Sequence, residues 1–185
     1  MKKIGMLSAL LCVVAGAIAV KAVAAEKQKK EGGDRLRVGV FDSRAIAIAY
    51  GNSEEFKRRL RDRTIEHDKA KAAGDEKRVK EIETEMENWQ KLAHKQAFGT
   101  WPVDEFLDTV KGKIPDVAAA AKVDLIVSKW DVVFKASSAE LVDVTEPLVK
   151  LFNPSERAMK WVRDLQNQEP IPIKKIEELD AKGEI

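Results

Sequence analysis

The spacing of hydrophobic and polar residues predicts a short strand, a short helix and then two long helices joined by a tight turn. The strand covers residues 37–41, where valines alternate along the chain. A short helix is predicted over 44–50, a long one over 54–72 and, after Gly74, a second long one over 75–98. The second long helix has apolar residues at heptad spacing, which is typical of paired helices. These residues are Val79, Ile82, Met86, Trp89 and Ala93.

Shorter elements follow in the second half of the chain. Residues 105–121 predict a helix that Gly112 and Pro115 should kink or split. Two runs of β-forming residues, 123–128 and 132–134, predict a β-hairpin with a three-residue turn between them. The tryptophan of that turn is expected either to be exposed or to cover an assembled body.

The chain beyond the predicted hairpin is expected to be helical and then irregular. Thr145 is predicted to cap a helix over 146–152. An amphipathic helix follows, with its apolar residues on one face, until the prolines at 170 and 172 end it. A charged tail then closes the chain.

The first 35 residues have the composition of a targeting segment and a linker. Two lysines precede an uncharged, mostly apolar run over residues 4–20, and small residues follow at 22–25. These features predict a signal peptide over 1–25 that is removed on export to the periplasm. An uncleaved inner-membrane anchor is the alternative, since the run is just long enough to span a bilayer. Residues 26–35, which include a glycine pair, predict a flexible linker.

Export changes what the charge of the chain implies. The full sequence has 33 Lys and Arg against 31 Asp and Glu, a net charge of +2. The predicted signal peptide contains three lysines and no acid, so the mature chain has 30 basic and 31 acidic residues and a net charge of −1. This balance does not favour a nucleic-acid partner. The only cysteine, Cys12, lies in the apolar run, so the mature chain is expected to lack disulfides.

The sequence contains no pattern that predicts catalysis or a cofactor. The only histidines, His67 and His94, would lie about 20 Å apart along the predicted helix pair, too far to share a metal ion. Glycine-rich phosphate loops are absent, and the serines lack the partners of a catalytic triad. We therefore predict a protein that is not an enzyme and that binds no cofactor or metal.

Two features of the long helices have two interpretations each. Basic residues cluster at the start of the first one, and they either attract acidic partners or lipid headgroups or form a solvated face paired with acids such as Asp62. The indole of Trp89 either faces a bound partner or packs in the seam between the helices. The basic cluster consists of Lys57, Arg58, Arg59, Arg61 and Arg63.

Several segments, in their order along the chain, resemble the Skp/OmpH-like family over residues 36–153. The opening segment Arg37–Val38–Gly39–Val40–Phe41–Asp42–Ser43 is similar to the family's first strand and cap. Near the other end, Val123–Asp124–Leu125–Ile126–Val127 and Val132–Val133–Phe134 precede Leu141–Val142–Asp143–Val144–Thr145–Glu146 and Leu148–Val149–Lys150–Leu151–Phe152–Asn153, which resemble its C-terminal signature.

This resemblance implies an α+β fold with a small β body and a protruding antiparallel helical hairpin, the arm, over about 53–98. It also implies a homotrimer that holds unfolded outer-membrane proteins, without ATP, in a periplasmic cavity between three arms. The arm here is shorter than in the family and nearly neutral, with 12 basic and 11 acidic residues over 54–96, and residues 154–185 are an extension. The candidate client-binding residues are Lys57, Arg58, Arg59, Arg61 and Trp89.

The residues themselves also favour an oligomer, because a protomer with so few short strands would leave apolar strand edges unpaired. The candidates for the oligomer body are Val38, Val40, Val123, Leu125, Val127 and Val133. The alternative function is that of a structural or interaction protein of the cell envelope, with the same fold but no clients.

Overall fold

The computed structural model describes residues 35–185, and its centre is a small parallel sheet. Strand β1 is Arg37–Phe41, β2 is Leu125–Ser128 and β3 is Glu140–Asp143, in the spatial order β2-β1-β3. Both outer strands pair with β1 in parallel. The predicted signal peptide over 1–25, Cys12 and nearly all of the linker lie outside the described residues.

The predicted β-hairpin over 123–134 is wrong. After β2 the chain forms a 3₁₀ turn, Lys129–Asp131, and Val132–Phe134 forms no strand. A tight turn would bring the next strand beside β2 in the antiparallel direction, whereas a parallel sheet needs a longer connection. Here residues 129–139 carry the chain to the other side of β1, where β3 pairs with it. Val133 and Phe134, left without a partner strand, are 99% and 82% exposed.

Helices fill most of the remaining chain, and the predicted bounds of the long ones are confirmed. The mixed helix and sheet content agrees with the predicted class. The helix predicted over 105–121 is split at a 3₁₀ turn, Lys111–Lys113, as Gly112 and Pro115 predicted. The helices are α1 Ser43–Gly51, α2 Glu54–Ala72, α3 Glu76–Phe98, α4 Asp104–Val110, α5 Ile114–Ala121, α6 Thr145–Lys150, α7 Glu156–Gln166 and α8 Ile173–Lys182.

The hydrophobic core is built around α1 and also includes Phe41 of β1 and buried residues of α4, α5, α6 and α7. Almost every residue of α1 is buried, and Tyr50 at its end stacks on Phe106 of α4 with ring centroids 4.1 Å apart. Phe152 meets the same tyrosine ring edge-on at 6.2 Å. These aromatic contacts join α1, α4 and the chain after α6 into one core. Aromatic pairs of this kind add stability beyond that of their buried area.

The two long helices contact each other through charged side chains, and residues later in α2 pair with residues earlier in α3. Arg63 of α2 is 2.9 Å from Glu85 of α3, and Glu66 further along α2 pairs with the earlier residue Arg78. Gly74, with φ +70°, makes the turn between the helices, in a conformation that side chains disfavour. No residue of α2 is buried, and Ile82 is the buried apolar residue of α3.

Two details of the C-terminal third differ from the sequence predictions. Thr145 does not cap α6 with its side chain: its Oγ1 accepts a hydrogen bond from Asp42 N at 3.0 Å, while Asp143 Oδ1 accepts one from Thr145 N at 2.8 Å. The predicted charged tail is largely the helix α8, with Ile176 fully buried. Polar side chains flank that isoleucine in sequence, and it is a tertiary contact with α3 that buries it.

Candidate functional site

The candidate site lies between α2 and α3, where the helices leave a groove on each side of Trp89. The first groove, which we call the apolar groove, has a volume of about 500 Å³. Helix α2 contributes Phe56 and Leu60 to it, and α3 contributes Met86 and Trp89. Polar groups including His67 and Glu83 form its rim. Apolar side chains that the protein itself leaves partly exposed in a concave site are able to contact an apolar partner.

The second groove, which we call the charged groove, has a volume of about 400 Å³ and shares Trp89 with the first. The Arg59 guanidinium lies 4.1 Å from the centroid of the Trp89 ring, and that of Arg63 lies 5.8 Å from it. A cation over an indole face is attracted by the ring quadrupole, so these arginines hold the indole between the helices. Trp89 is half-buried, so it is both a seam residue and a wall of the open grooves.

The structure separates the basic cluster into paired and unpaired members. Lys57 lies 2.8 Å from Glu54, and its hydrogen bond and charge lower the pKa of that carboxyl, with a smaller contribution from Arg61. Arg63 pairs with glutamates of both helices. Within residues 35–185, Arg58, Arg59 and Arg61 form no ion pair, and the expected pairs with Asp62 are not made. None of these three charges is neutralised by an acid of the described residues, and Arg59 in addition contacts the Trp89 ring.

A second surface with functional potential is the outer face of the sheet. Side chains of paired residues point to the same face, and Val38 pairs with Leu125 and Leu141, while Val40 pairs with Val127. None of the five belongs to the hydrophobic core, and Leu125 and Leu141 are exposed. We call these five residues the outer sheet face. Parallel sheets are almost always covered on both faces, so a face of this kind is unusual in a complete assembly.

The remaining candidates for the oligomer body are placed differently. Val123 precedes β2 and is buried beside Gly39 on the inner face, so this candidate does not share a face with Leu125 and Val127. Lys122 ends α5 in the left-handed conformation, with φ +54°, and Val123 N donates to Ala118 O at 3.0 Å, so Val123 belongs to the turn that ends α5 rather than to β2. Val133 lies in the exposed segment between β2 and β3.

A buried charged cluster at the carboxyl ends of the strands was missed by the sequence reasoning. Asp42, which directly follows β1, is fully buried and accepts hydrogen bonds from Arg44 Nη2 at 2.8 Å and from Trp130 Nε1 at 3.2 Å. Lys129 Nζ lies 2.9 Å from the same carboxylate. Trp130 is therefore a partner of this cluster rather than an exposed turn residue, and it lies under the Arg44 guanidinium at 4.9 Å.

The cluster keeps Asp42 ionised. Burial alone would raise the pKa of Asp42, but the hydrogen bonds and positive charges of Arg44 and Lys129 together outweigh it and lower the pKa below its ordinary value. In the sequence, Asp42 belongs to the segment that resembles the family's first strand and cap, and its partners Lys129 and Trp130 lie far from it along the chain. Asp42 does cap α1, through a bond to Arg44 N at 3.0 Å, but its charge serves the tertiary cluster.

The described part of the chain contains neither a metal-binding cluster nor a membrane span. No three His, Cys, Asp or Glu side chains among residues 35–185 are grouped to hold an ion. The two histidines lie apart, His67 beside Glu83 at 3.2 Å and His94 beside Asp180 at 2.6 Å. Over the same residues, no helix combines the length and the apolar character needed to cross a bilayer.

Comparison of the chain with protein-family models, with curated proteins and with solved structures found no match.

Proposed function

We propose that the protein is an ATP-independent periplasmic holdase that binds unfolded outer-membrane proteins between helical arms. In this proposal α2 and α3 form the antiparallel arm, about 28 Å long from the 19 residues of α2 at 1.5 Å each. Clients would be held by many weak contacts, which need neither a cofactor nor a catalytic group.

The observation that carries this proposal is the open apolar groove between α2 and α3. A helix pair whose only task was support would close its apolar residues into a seam, as heptad spacing allows. Here Leu60 is 39% exposed, and Phe56, Met86 and Trp89 are half-buried along the same groove. Unfolded outer-membrane chains carry alternating apolar side chains that such a groove could take up, and they aggregate when these stay free in water.

The unpaired arginines add a second source of affinity. Arg58 and Arg59 line the charged groove on the other side of Trp89, and Arg61 lies exposed on the same helix. Long-range attraction of acidic segments raises the rate of encounter without fixing one bound geometry. The same groups would serve for contact with anionic lipid headgroups at a membrane surface.

The outer sheet face supports the further proposal of a homotrimer. Burial of these apolar side chains against other copies would cover the face that helices leave open. Val133 and Phe134 lie in the exposed segment that leads to β3, and they would add apolar contacts between subunits. Light scattering at micromolar concentration should give three times the mass of the mature chain, and a stable monomer would contradict this.

The holdase proposal is tested with an unfolded outer-membrane β-barrel protein diluted from urea, its aggregation followed by turbidity. The mature protein at equimolar trimer should suppress the turbidity. Leu60→Asn should weaken suppression, because Leu60 lines the apolar groove. Ile65→Asn is the matched control: Ile65 is 51% exposed on the same helix and lies outside both grooves.

The possible outcomes test the holdase function and the location of the binding site separately. Absence of suppression by the unchanged protein would contradict the holdase proposal and favour a structural or interaction protein of the envelope. Equal suppression by both variants and the unchanged protein would contradict the groove as the binding site. Changing Arg58, Arg59 and Arg61 to Glu should leave assembly intact, since exposed charges contribute at most about 1 kcal/mol each, while weakening the capture of acidic clients.

A further inference from the structure

The C-terminal extension, residues 154–185, contacts both the body and one of the long helices. Helix α7 packs against α1, and α8 packs against the C-terminal part of α3. Val162 is buried at the first contact and Ile176 at the second. A single continuous segment therefore joins the helix that forms the core to the helix that leads into the arm.

The attachment to the body is made through a buried arginine. Arg44 Nη2 donates hydrogen bonds to the carbonyl oxygens of Leu165 at 3.3 Å and of Gln168 at 2.8 Å, at and just beyond the end of α7. Carbonyls at a helix C-terminus lack partners within the helix and favour a cation. The ion pair with Asp42 fixes Arg44 at the carboxyl edge of the sheet. Arg44 therefore fixes the C-terminal end of α7 to the same edge.

The attachment to α3 begins where that helix ends. Ile171 N donates to Phe98 O at 2.8 Å, so the chain between α7 and α8 is bonded to the last residue of α3. A methyl group added at Gly99 would lie 2.6 Å from Ile173 Cδ1 and 2.9 Å from Ile176 Cδ1. The same methyl group would lie 2.8 Å from the backbone oxygen of Lys95, which cannot move aside as a side chain can, so glycine at 99 lets the isoleucines of α8 lie against the end of α3.

Two polar contacts extend the attachment along both helices. His94 Nδ1 lies 2.6 Å from Asp180 Oδ1, and Lys95 Nζ lies 2.7 Å from Glu177 Oε1. The partners on α8 are three residues apart, so they lie on one face of it. Contacts at several points along two helices restrict rotation between them, which a single contact point does not.

We propose that residues 154–185 are a brace that fixes the direction of the α2–α3 pair relative to the sheet body. Without the brace, α3 would meet the body through α1 and the chain after Gly99. With it, a second path of contacts runs from Arg44 through α7 and α8 to His94 and Lys95. This inference does not depend on what the helix pair binds.

The brace is tested in the full chain by detaching α8. Ile176→Asp places a carboxylate in the apolar contact with α3, whereas Lys174→Asp changes an exposed position of the same helix and serves as the control. Hydrogen exchange of residues 92–98 should rise at least about tenfold in the first variant and stay unchanged in the second. Amides of β1 should keep their protection in both.

The direction of the arm is measured by the distance between spin labels at Ala73→Cys and Asp116→Cys, both exposed positions. The labelled chain also carries Cys12→Ser and is mixed with an excess of unlabelled protein. The distance distribution should broaden when α8 is detached. A chain ending at Gln168 removes α8 outright and retains the carbonyls that Arg44 binds, so it decides the matter if Ile176→Asp keeps α8 in place or fails to fold. An unchanged distribution in the truncated chain would overturn the brace.

Discussion

Replacing Asp42 by alanine should destabilise the fold more than any exposed charge change. The Arg44 side chain is 1% exposed, and Asp42→Ala would leave its guanidinium with carbonyl oxygens as acceptors and no negative partner. Lys129 would lose the same carboxylate. Removing one partner of a buried ion pair costs about 3–5 kcal/mol. This is a large part of the free energy of unfolding of an ordinary domain, which is about 5–15 kcal/mol.

The assay is urea unfolding at a fixed protein concentration, followed by helix circular dichroism and by tryptophan fluorescence, since Trp130 contacts the cluster. With a slope of about 2 kcal/mol per M, a loss of about 4 kcal/mol lowers the midpoint by about 2 M. Glu140→Ala is the matched control, because it breaks the exposed pair with Arg37 at 3.0 Å and should cost at most about 1 kcal/mol.

A double variant, Asp42→Ala with Arg44→Met, should be less destabilised than the sum of the single changes, because it leaves no guanidinium buried without a partner. If Asp42→Ala lowers the midpoint no more than Glu140→Ala does, the buried charge is not what the cluster contributes, and the reasoning is refuted.

Four further outcomes are expected. In the proposed trimer, Leu125→Asp would place an unpaired carboxylate in the subunit contact at a cost of several kcal/mol, so it should abolish the oligomer on gel filtration; a retained trimer would contradict the outer sheet face as the interface. Ile82→Ala should lower the free energy of unfolding by about 2–5 kcal/mol, whereas Ile65→Ala at an exposed position should change it by no more than about 0.5 kcal/mol. Because the folded pKa of Asp42 is lowered, its contribution to stability is present above about pH 4 and should be lost as the pH falls through the folded pKa, which acid titration of the urea midpoint against Asp42→Ala would measure. N-terminal sequencing of protein from the envelope fraction should begin at residue 25 or 26, and the intact precursor in the membrane would favour the anchor.

The sequence by itself determined the features that depend on neighbouring residues. Apolar residues at heptad spacing defined the second long helix, Gly74 marked the turn between the two long helices, and Gly112 with Pro115 located the break between α4 and α5. Local backbone preferences act over one or two turns of chain, so they are visible without knowledge of the fold. The basic cluster of α2 was also visible, although which arginines remain unpaired was not.

Only the tertiary structure decided how the strands pair and what the charged and C-terminal residues contact. The run ending at Phe134 has the residues of a strand, but β1 takes β3 as its second neighbour and leaves that run exposed. The Asp42 cluster joins residues 88 positions apart in sequence, and α8 is placed by its contact with α3. Distant segments compete for the same surfaces, and this competition decides which strands pair, which charges are buried together and where helices dock. The free energies of the competing arrangements depend on the whole chain, so no single stretch of sequence reveals them.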